Sequence, residues 1–185
     1  MAQVQRFIAK RTLVAFHEAG HAMVALHFGR DVLNITMLNQ DEHNANASTT
    51  MGALTGCVTV SDLEQEIQIC LAGKQSELIG FHDHHGGEAA DLEAARHWAG
   101  QLPVPKLRGA SEIENRSDQL EELLRRLEAE VRGLLQTPPL WSAVETVAQY
   151  VLNYDSIDRA TLRQIAQHCL EIPTQHDFDA YRRFS

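Results

Sequence analysis

The feature that most constrains this chain is the string His17-Glu18-Ala19-Gly20-His21, which lies inside a segment of helical character. Between about residues 5 and 28 the apolar residues recur at broadly helical spacing, and Gly29 then provides a helix stop. Residues four apart on a helix lie one above the other, with about 5–6 Å between their Cβ atoms. His17 and His21 can therefore bind one metal ion together.

The same string supplies the base that a metal-dependent hydrolase needs. Zinc suits two imidazoles, and a catalytic zinc keeps three protein ligands and an open position for water. A neighbouring carboxylate can take the proton of that water and later pass it on. Glu18 stands in the right place, on a segment of small and apolar residues where unpaired ionisable groups would be costly to bury. The string therefore predicts a zinc site with Glu18 as its catalytic base.

A third ligand must come from elsewhere in the chain. Three acidic residues, Glu88, Asp91 and Glu93, stand near the start of a predicted helix, just after a loop that ends at residue 87. Each of them could instead complement the dipole at the N-terminus of that helix. The chemistry of these residues alone does not choose among them.

The remaining pattern predicts a mainly α fold with a small β element. Two β-like runs, 32–38 and 53–60, are separated by the polar segment 39–50 and suggest a small sheet or hairpin. After them, Ser61 and Asp62 can cap a helix that runs to about residue 79. Further helices are predicted at 88–99, 120–135, 140–152 and 158–170. The helix at 120–135 has the clearest apolar stripe, which we expect to face the core.

Loops and a tail complete this organisation. A His- and Gly-rich loop covers residues 80–87, and the segment 100–116 carries prolines and polar residues without regular periodicity. The tail at 173–185 has no periodicity either. We therefore predict one domain at residues 1–172, followed by a flexible C-terminal tail.

Composition argues against several classes of protein. The formal net charge is −9, from 16 basic and 25 acidic residues, so there is no positive field to attract nucleic acid. No apolar stretch approaches the roughly 20 residues that a membrane span needs, and the N-terminus lacks the pattern of a signal peptide. We therefore expect a cytoplasmic protein. The 3 cysteines are widely spaced and form no Cys-x-x-Cys pair, which predicts reduced, buried thiols.

Strings in five places resemble those of one known family. The segment from Lys10 through the His-Glu-Ala-Gly-His string to Val24 resembles the zinc helix of the FtsH family of ATP-dependent proteases, the M41 peptidases. Four later strings also resemble segments of that family, namely Asn34-Ile35-Thr36-Met37, Leu71-Ala72-Gly73-Lys74-Gln75-Ser76-Glu77, Ala90-Asp91-Leu92-Glu93-Ala94-Ala95 and Tyr154-Asp155-Ser156-Ile157-Asp158. The resemblance covers about residues 9 to 170.

The resemblance implies a fold, a ligand set and an activity. It implies a helical zincin-type peptidase domain, and the family's Asn-Asp-Leu-Glu-Lys-Ala segment nominates Asp91 as the third metal ligand beside His17 and His21. The implied activity is that of a metalloendopeptidase, which hydrolyses peptide bonds of extended or unfolded polypeptides with a water activated by zinc and Glu18. In the family the substrate is thought to lie as an added strand along a sheet edge, which residues 52–60 would form here.

Some features depart from the family pattern. Lys74 stands where the family has Arg, and Gln75 and Ser76 replace small residues. No Gly-x-x-x-x-Gly-Lys-Ser/Thr string occurs, and 185 residues leave no space for an AAA ATPase module. We therefore expect a peptidase domain that acts without ATP. A homo-oligomer and an ATPase supplied by another chain stay open as partners.

Two other functions and one other site stay open. The chain could be a non-catalytic, zinc-containing module that binds peptides, although the intact Glu18 argues against this. It could also be a helical interaction protein in which the His-Glu-Ala-Gly-His string is accidental. The loop residues His82, His84 and His85, with Asp83, could form a second metal site or a solvated loop near the active site.

Overall fold

The computed structural model describes residues 2–39, 45–54, 56–103 and 112–170. For residues 2–9, 39, 112–116 and 170 it describes the backbone only. The elements, in chain order, are α1 (Ala2–His27), β1 (Val32–Asn39), β2 (Asn46–Met51), α2 (Val60–Phe81), α3 (Ala89–Ala99), α4 (Glu112–Leu135), α5 (Pro138–Tyr154), β3 (Ser156–Asp158) and α6 (Arg159–Leu170). The predicted mainly α fold with a small β element is confirmed.

The sheet differs from the prediction in its second strand. It has three antiparallel strands in the order β2-β1-β3, and Ile35 of β1 is opposite Thr49 of β2 and Ile157 of β3. The strand predicted at 53–60 is wrong, because the described residues of that run form no strand. The second strand is β2, and five of its six residues lie in the segment 39–50, which was predicted to be a polar connection. Burial explains the difference: Ala47 of β2 is in the core, whereas Val58 and Val60 are 44% and 49% exposed.

Helix boundaries also differ from the prediction at three places. Helix α2 is capped by Thr59, not by Ser61 or Asp62, in a capping box in which the Thr59 hydroxyl accepts from the Asp62 N–H while the Asp62 carboxylate accepts from the Thr59 N–H. Helix α4 begins at Glu112, inside the predicted loop 100–116. Helix α5 begins at Pro138, because a proline in the first turn sacrifices no helical hydrogen bond.

Helix α1 lies at the centre of the molecule and packs against α2 and α5. Its residues from Ala22 to Ala25 are fully buried. It approaches α2 closely at Gly20, where a Cβ atom would lie 2.6 Å from Ser76 Oγ and 2.8 Å from Ala72 O. The apolar stripe of α4 faces the core as predicted, with Leu124, Leu127, Val131 and Leu135 buried.

Three further sequence predictions concern the cysteines, the membrane and the tail. All 3 cysteines are free, but the prediction of buried thiols is wrong for Cys57, which is exposed, while Cys70 and Cys169 are half-buried. None of the helices in the described part of the chain combines the length and apolar character that a bilayer span requires. The predicted tail at 173–185 lies outside the described residues, so the domain boundary at residue 172 stays a prediction.

Candidate metal centre

Helices α1 and α3 bring the three residues predicted as metal ligands together. His17 and His21 are 4% and 7% exposed, and their Nε2 atoms lie 2.9 Å apart. Oδ2 of Asp91 lies 2.8 Å from Nε2 of His17 and 3.4 Å from Nε2 of His21. All three donor atoms lie within 4.8 Å of one another, in a group that includes neither Glu88 nor Glu93. Of the three acidic candidates, the structure therefore places only Asp91 beside the histidines.

Hydrogen bonds on the far side of each imidazole determine its tautomer. Nδ1 of His21 lies 2.6 Å from the carbonyl oxygen of Ile69, and Nδ1 of His17 lies 2.5 Å from Oε1 of Glu77. Since a carbonyl oxygen or a carboxylate can only accept, both Nδ1 atoms carry a proton and donate. Nε2 of each ring then offers its lone pair to a metal, as in many metal-bound histidines.

Gly73 on α2 leaves the space that this donor set needs. A Cβ atom at this position would lie 2.6 Å from Nε2 of His17 and closer still to Nε2 of His21. Any larger residue would therefore occupy the space beside both donor atoms. Two imidazole nitrogens and one carboxylate oxygen form the donor set of a catalytic zinc, so the residues present fit that metal.

The electrostatics of the site favour a cation between these donors. Burial lowers the pKa of His17, but its hydrogen bonds to the carboxylates of Asp91 and Glu77 outweigh burial and raise that pKa to about 9. Burial raises the pKa of Asp91, but its hydrogen bonds to His17 and His21 lower it well below its usual range. The carboxylates that favour a positive charge on His17 would also favour a metal cation beside these donors.

Glu18, the predicted base, is hydrogen-bonded to the sheet. Oγ1 of Thr49 in β2 lies 2.7 Å from Oε2 of Glu18, to which it donates, and 3.2 Å from the backbone oxygen of the same residue. The sequence gives no sign of this contact, because the two residues are 31 positions apart and belong to different kinds of element. Thr49 is thus a residue of the site that sequence reasoning missed.

The histidine loop after α2 does not form a metal cluster of its own. His82 ends α2 in the left-handed conformation, with a φ of 55°, and Nδ1 of His84 lies 3.2 Å from Oε2 of Glu88. Only His85 turns inward, where it joins Glu77 and His17. Of the two alternatives left open for this loop, a metal site formed by His82, His84 and His85 together is not present in the described conformation, because only His85 belongs to a group with metal-ligand spacing.

The comparison with known families agrees with this geometry. The model of Peptidase family M41 matches residues 7–104, which is more than half of the chain and includes the two histidines, Glu18 and Asp91. The chain belongs to peptidase family M41, as its resemblance to the FtsH proteases predicted.

Two curated relatives have the name "ATP-dependent zinc metalloprotease FtsH". The relative from Leptotrichia buccalis is 26% identical, and the match covers 84% of this chain and 23% of the relative. The relative from Rhodococcus erythropolis is 22% identical, and the match covers 84% of this chain and 22% of the relative. The chain thus spans less than a quarter of the length of these relatives, whose names make this a family of zinc metalloproteases.

Proposed function

We propose that this chain is a zinc-dependent endopeptidase with His17, His21 and Asp91 as metal ligands and Glu18 as general base. The observation that carries the proposal is the convergence of three donor atoms within 4.8 Å of one another, with Glu18 next to the first ligand in the chain. Membership of a zinc metalloprotease family supports it.

Each residue has a distinct task in peptide hydrolysis. Zinc, when bound, lowers the pKa of a water molecule and polarises the peptide carbonyl. His17 and His21 would bind it through Nε2, and Asp91 through Oδ2. Glu18 accepts the proton of the attacking water and passes it to the leaving amine. Thr49 donates its hydroxyl hydrogen to the Glu18 carboxylate and so orients this base.

The outer edge of β2 is the proposed site for the substrate backbone, in place of residues 52–60. β2 is at one end of the strand order, so within the described residues its outer side has no neighbouring strand. An extended polypeptide can pair with such an edge through its own N–H and C=O groups. Thr49 of this strand contacts Glu18, so a chain added along β2 would lie beside the base.

The proposed substrates are extended or unfolded polypeptides. Pairing with a strand edge requires a free backbone, which folded proteins offer mainly at termini and loop tips. Recognition through the backbone also gives weak sequence preference. The chain alone should therefore cleave unfolded proteins without ATP, whereas folded substrates would need an unfolding ATPase as a partner.

Digestion of casein without nucleotide tests this function. We expect the zinc-loaded wild type to digest casein slowly and to leave a tightly folded protein intact. Glu18→Gln should keep the zinc and abolish cleavage, because a neutral amide cannot accept a proton from water. If the zinc-loaded wild type leaves casein and short unstructured peptides untouched, the non-catalytic binding module is the better account. Equal cleavage by Glu18→Gln would show that Glu18 is not the base.

A further inference from the structure

The buried carboxylate of Glu77 takes most of its hydrogen bonds from one loop residue. Glu77 is 1% exposed, and a buried carboxylate needs several donors to offset its lost hydration. Besides Nδ1 of His17, both other donors among the described residues belong to His85. Its backbone N–H donates to Oε2 over 2.7 Å, and its Nδ1 lies 2.9 Å from Oε1.

We infer that His85 is a positioning residue of the metal centre, which holds Glu77 so that Glu77 in turn orients His17. This inference rests on the proposed metal site. Nδ1 of His85 must donate to the carboxylate, because an ionised carboxylate only accepts. With both oxygens of Glu77 held by His85, Oε1 stays in line with Nδ1 of His17 and keeps the proton there. Nε2 of His17 is then left free for the metal.

The rings of His85 and His17 are also in direct contact. Their centroids lie 4.8 Å apart, and the ring planes are nearly perpendicular, at 88°. His85 thus restricts rotation of the His17 ring by contact as well as through Glu77. Within the described part of the chain, the other ring contact of His17 is with His21, at 4.6 Å between centroids and 78° between the planes. Among the described residues, His17 is therefore confined by His21 and His85.

The loop that carries His85 has glycines where this arrangement requires them. Gly86 has a φ of 80°, which turns the chain immediately after His85. Gly87 has no such φ, but a Cβ atom there would overlap Nε2 of His85. A glycine is needed at residue 87 because the inward-turned ring occupies the space of a side chain, and not because of the backbone conformation.

The contacts of the loop distinguish His85 from its neighbour. The His84 side chain is 37% exposed and pairs with Glu88, whose other oxygen lies 3.5 Å from Nζ of Lys74. The His85 side chain is only 14% exposed. His84 therefore provides a matched control, because it is on the same loop and is hydrogen-bonded to Glu88 without reaching the metal ligands.

The same atoms could instead bind a second metal ion, since His17, Glu77 and His85 also form a group with metal-ligand spacing. Hydrogen bonding accounts for them better. A second ion would bind Nδ1 of His17 only after that atom had lost its proton. In the structure, each donor already faces an acceptor at hydrogen-bond distance. The two arrangements differ in the amount of zinc that each chain binds.

The inference can be tested without any substrate. The affinity for zinc is measured on the purified full chain by competition with a chelator. Loss of a residue that orients a metal-binding histidine typically weakens metal binding by about 10–100-fold, and we expect this of His85→Ala. His85→Asn keeps a donor on Cγ and should restore most of the affinity. His84→Ala should bind zinc like the wild type.

Gly87→Ala is a second variant that tests the same inference. It stays informative if His85→Ala fails to fold. The new Cβ atom should displace the His85 ring and weaken zinc binding about as much as His85→Ala does. Glu77, His17 and His85 are all still present in this variant. The thermal unfolding of each metal-free variant checks that it is folded.

Several outcomes would overturn the inference. Wild-type affinity in His85→Ala would do so, and equal weakening in His85→Asn and His85→Ala would assign His85 a merely structural role. Two zinc ions per wild-type chain, with one lost in His85→Ala, would establish a second metal site instead. Casein digestion by the same samples separates the two proposals: a zinc-binding wild type without cleavage contradicts the peptidase only, whereas a wild type that binds no zinc contradicts both.

Discussion

At the scale of single residues, the proposed base depends on a hydroxyl group contributed by the sheet. Thr49 donates to Glu18 over 2.7 Å, and both residues are only partly buried. A hydrogen bond to a charged group contributes about 1.5–3 kcal/mol. The contact therefore restricts the Glu18 carboxylate to an orientation that free rotation would not maintain.

Thr49→Val tests this contact, because valine has nearly the shape of threonine without the hydroxyl. We expect kcat for an unstructured peptide to fall by roughly tenfold, which corresponds to a loss of about 1.4 kcal/mol in the transition state. The zinc content should not change, since Thr49 does not contact the three ligands. Thr49→Ser should keep most of the activity, and a Thr49→Val variant as fast as the wild type would show that the hydroxyl is dispensable.

At the scale of elements, the site depends on the close approach of α1 and α2. Gly20 allows the helices to meet at Ser76, and Gly73 leaves space beside the imidazoles of His17 and His21. Glycine inside a helix costs about 0.5–1 kcal/mol relative to alanine. These two positions therefore sacrifice some helix stability for the space that the contact and the metal centre need.

Gly73→Ala and Gly133→Ala together test this interpretation. Both glycines are inside helices, but a Cβ atom at Gly133 would have no neighbour within 4 Å. Gly133→Ala should stabilise the protein by about 0.5–1 kcal/mol and keep the zinc. Gly73→Ala should lose most of the zinc, because its Cβ atom crowds both Nε2 atoms. Elemental analysis and thermal unfolding measure the two effects, and full zinc content in Gly73→Ala would contradict the role of Gly73.

The sequence predicted the helices better than the strands. Periodicity located α2, α4 and α6 because each buries one face against the core. It missed β2, whose strand conformation comes from pairing with β1 and from the burial of the small residue Ala47. It also missed β3, since three residues are too few to show an alternation.

The site was predictable only where its residues are close in the chain. His17, Glu18 and His21 lie within one helical turn and a half, so their spacing alone indicates a metal site. Asp91 could be chosen over its acidic neighbours only from the family resemblance. The sequence did not indicate the contacts that Glu77 and Thr49 make in the site, because 60 and 31 residues separate them from their partners. Only packing brings these groups together.

At the scale of the whole molecule, the proposed metal site would couple metal binding to folding. The proposed ligands come from α1 and α3, and the residues that orient them come from α2 and the loop after it. The unfolded chain has no such arrangement, so at the proposed site zinc would bind mainly to the folded state. Binding should therefore raise the stability of the whole molecule.

Thermal unfolding with and without zinc measures this coupling. Free zinc at about 100 times its Kd should add about 2.7 kcal/mol to the free energy of unfolding and raise Tm. A chelator should reverse the increase. His21→Ala, which lacks one ligand, should show little response to zinc. A zinc-dependent rise in Tm of equal size in His21→Ala would place the stabilising ion at another site.

The zinc content of three purified proteins tests the central claim most directly, because it depends on the ligand set alone. Asp91 and Glu93 are both acidic residues on α3, but only Asp91 reaches the histidines. The wild type and Glu93→Ala should contain about one zinc per chain, and Asp91→Ala should lose most of it. Equal zinc content in Asp91→Ala and Glu93→Ala, or a greater loss in Glu93→Ala, would contradict the proposed metal centre.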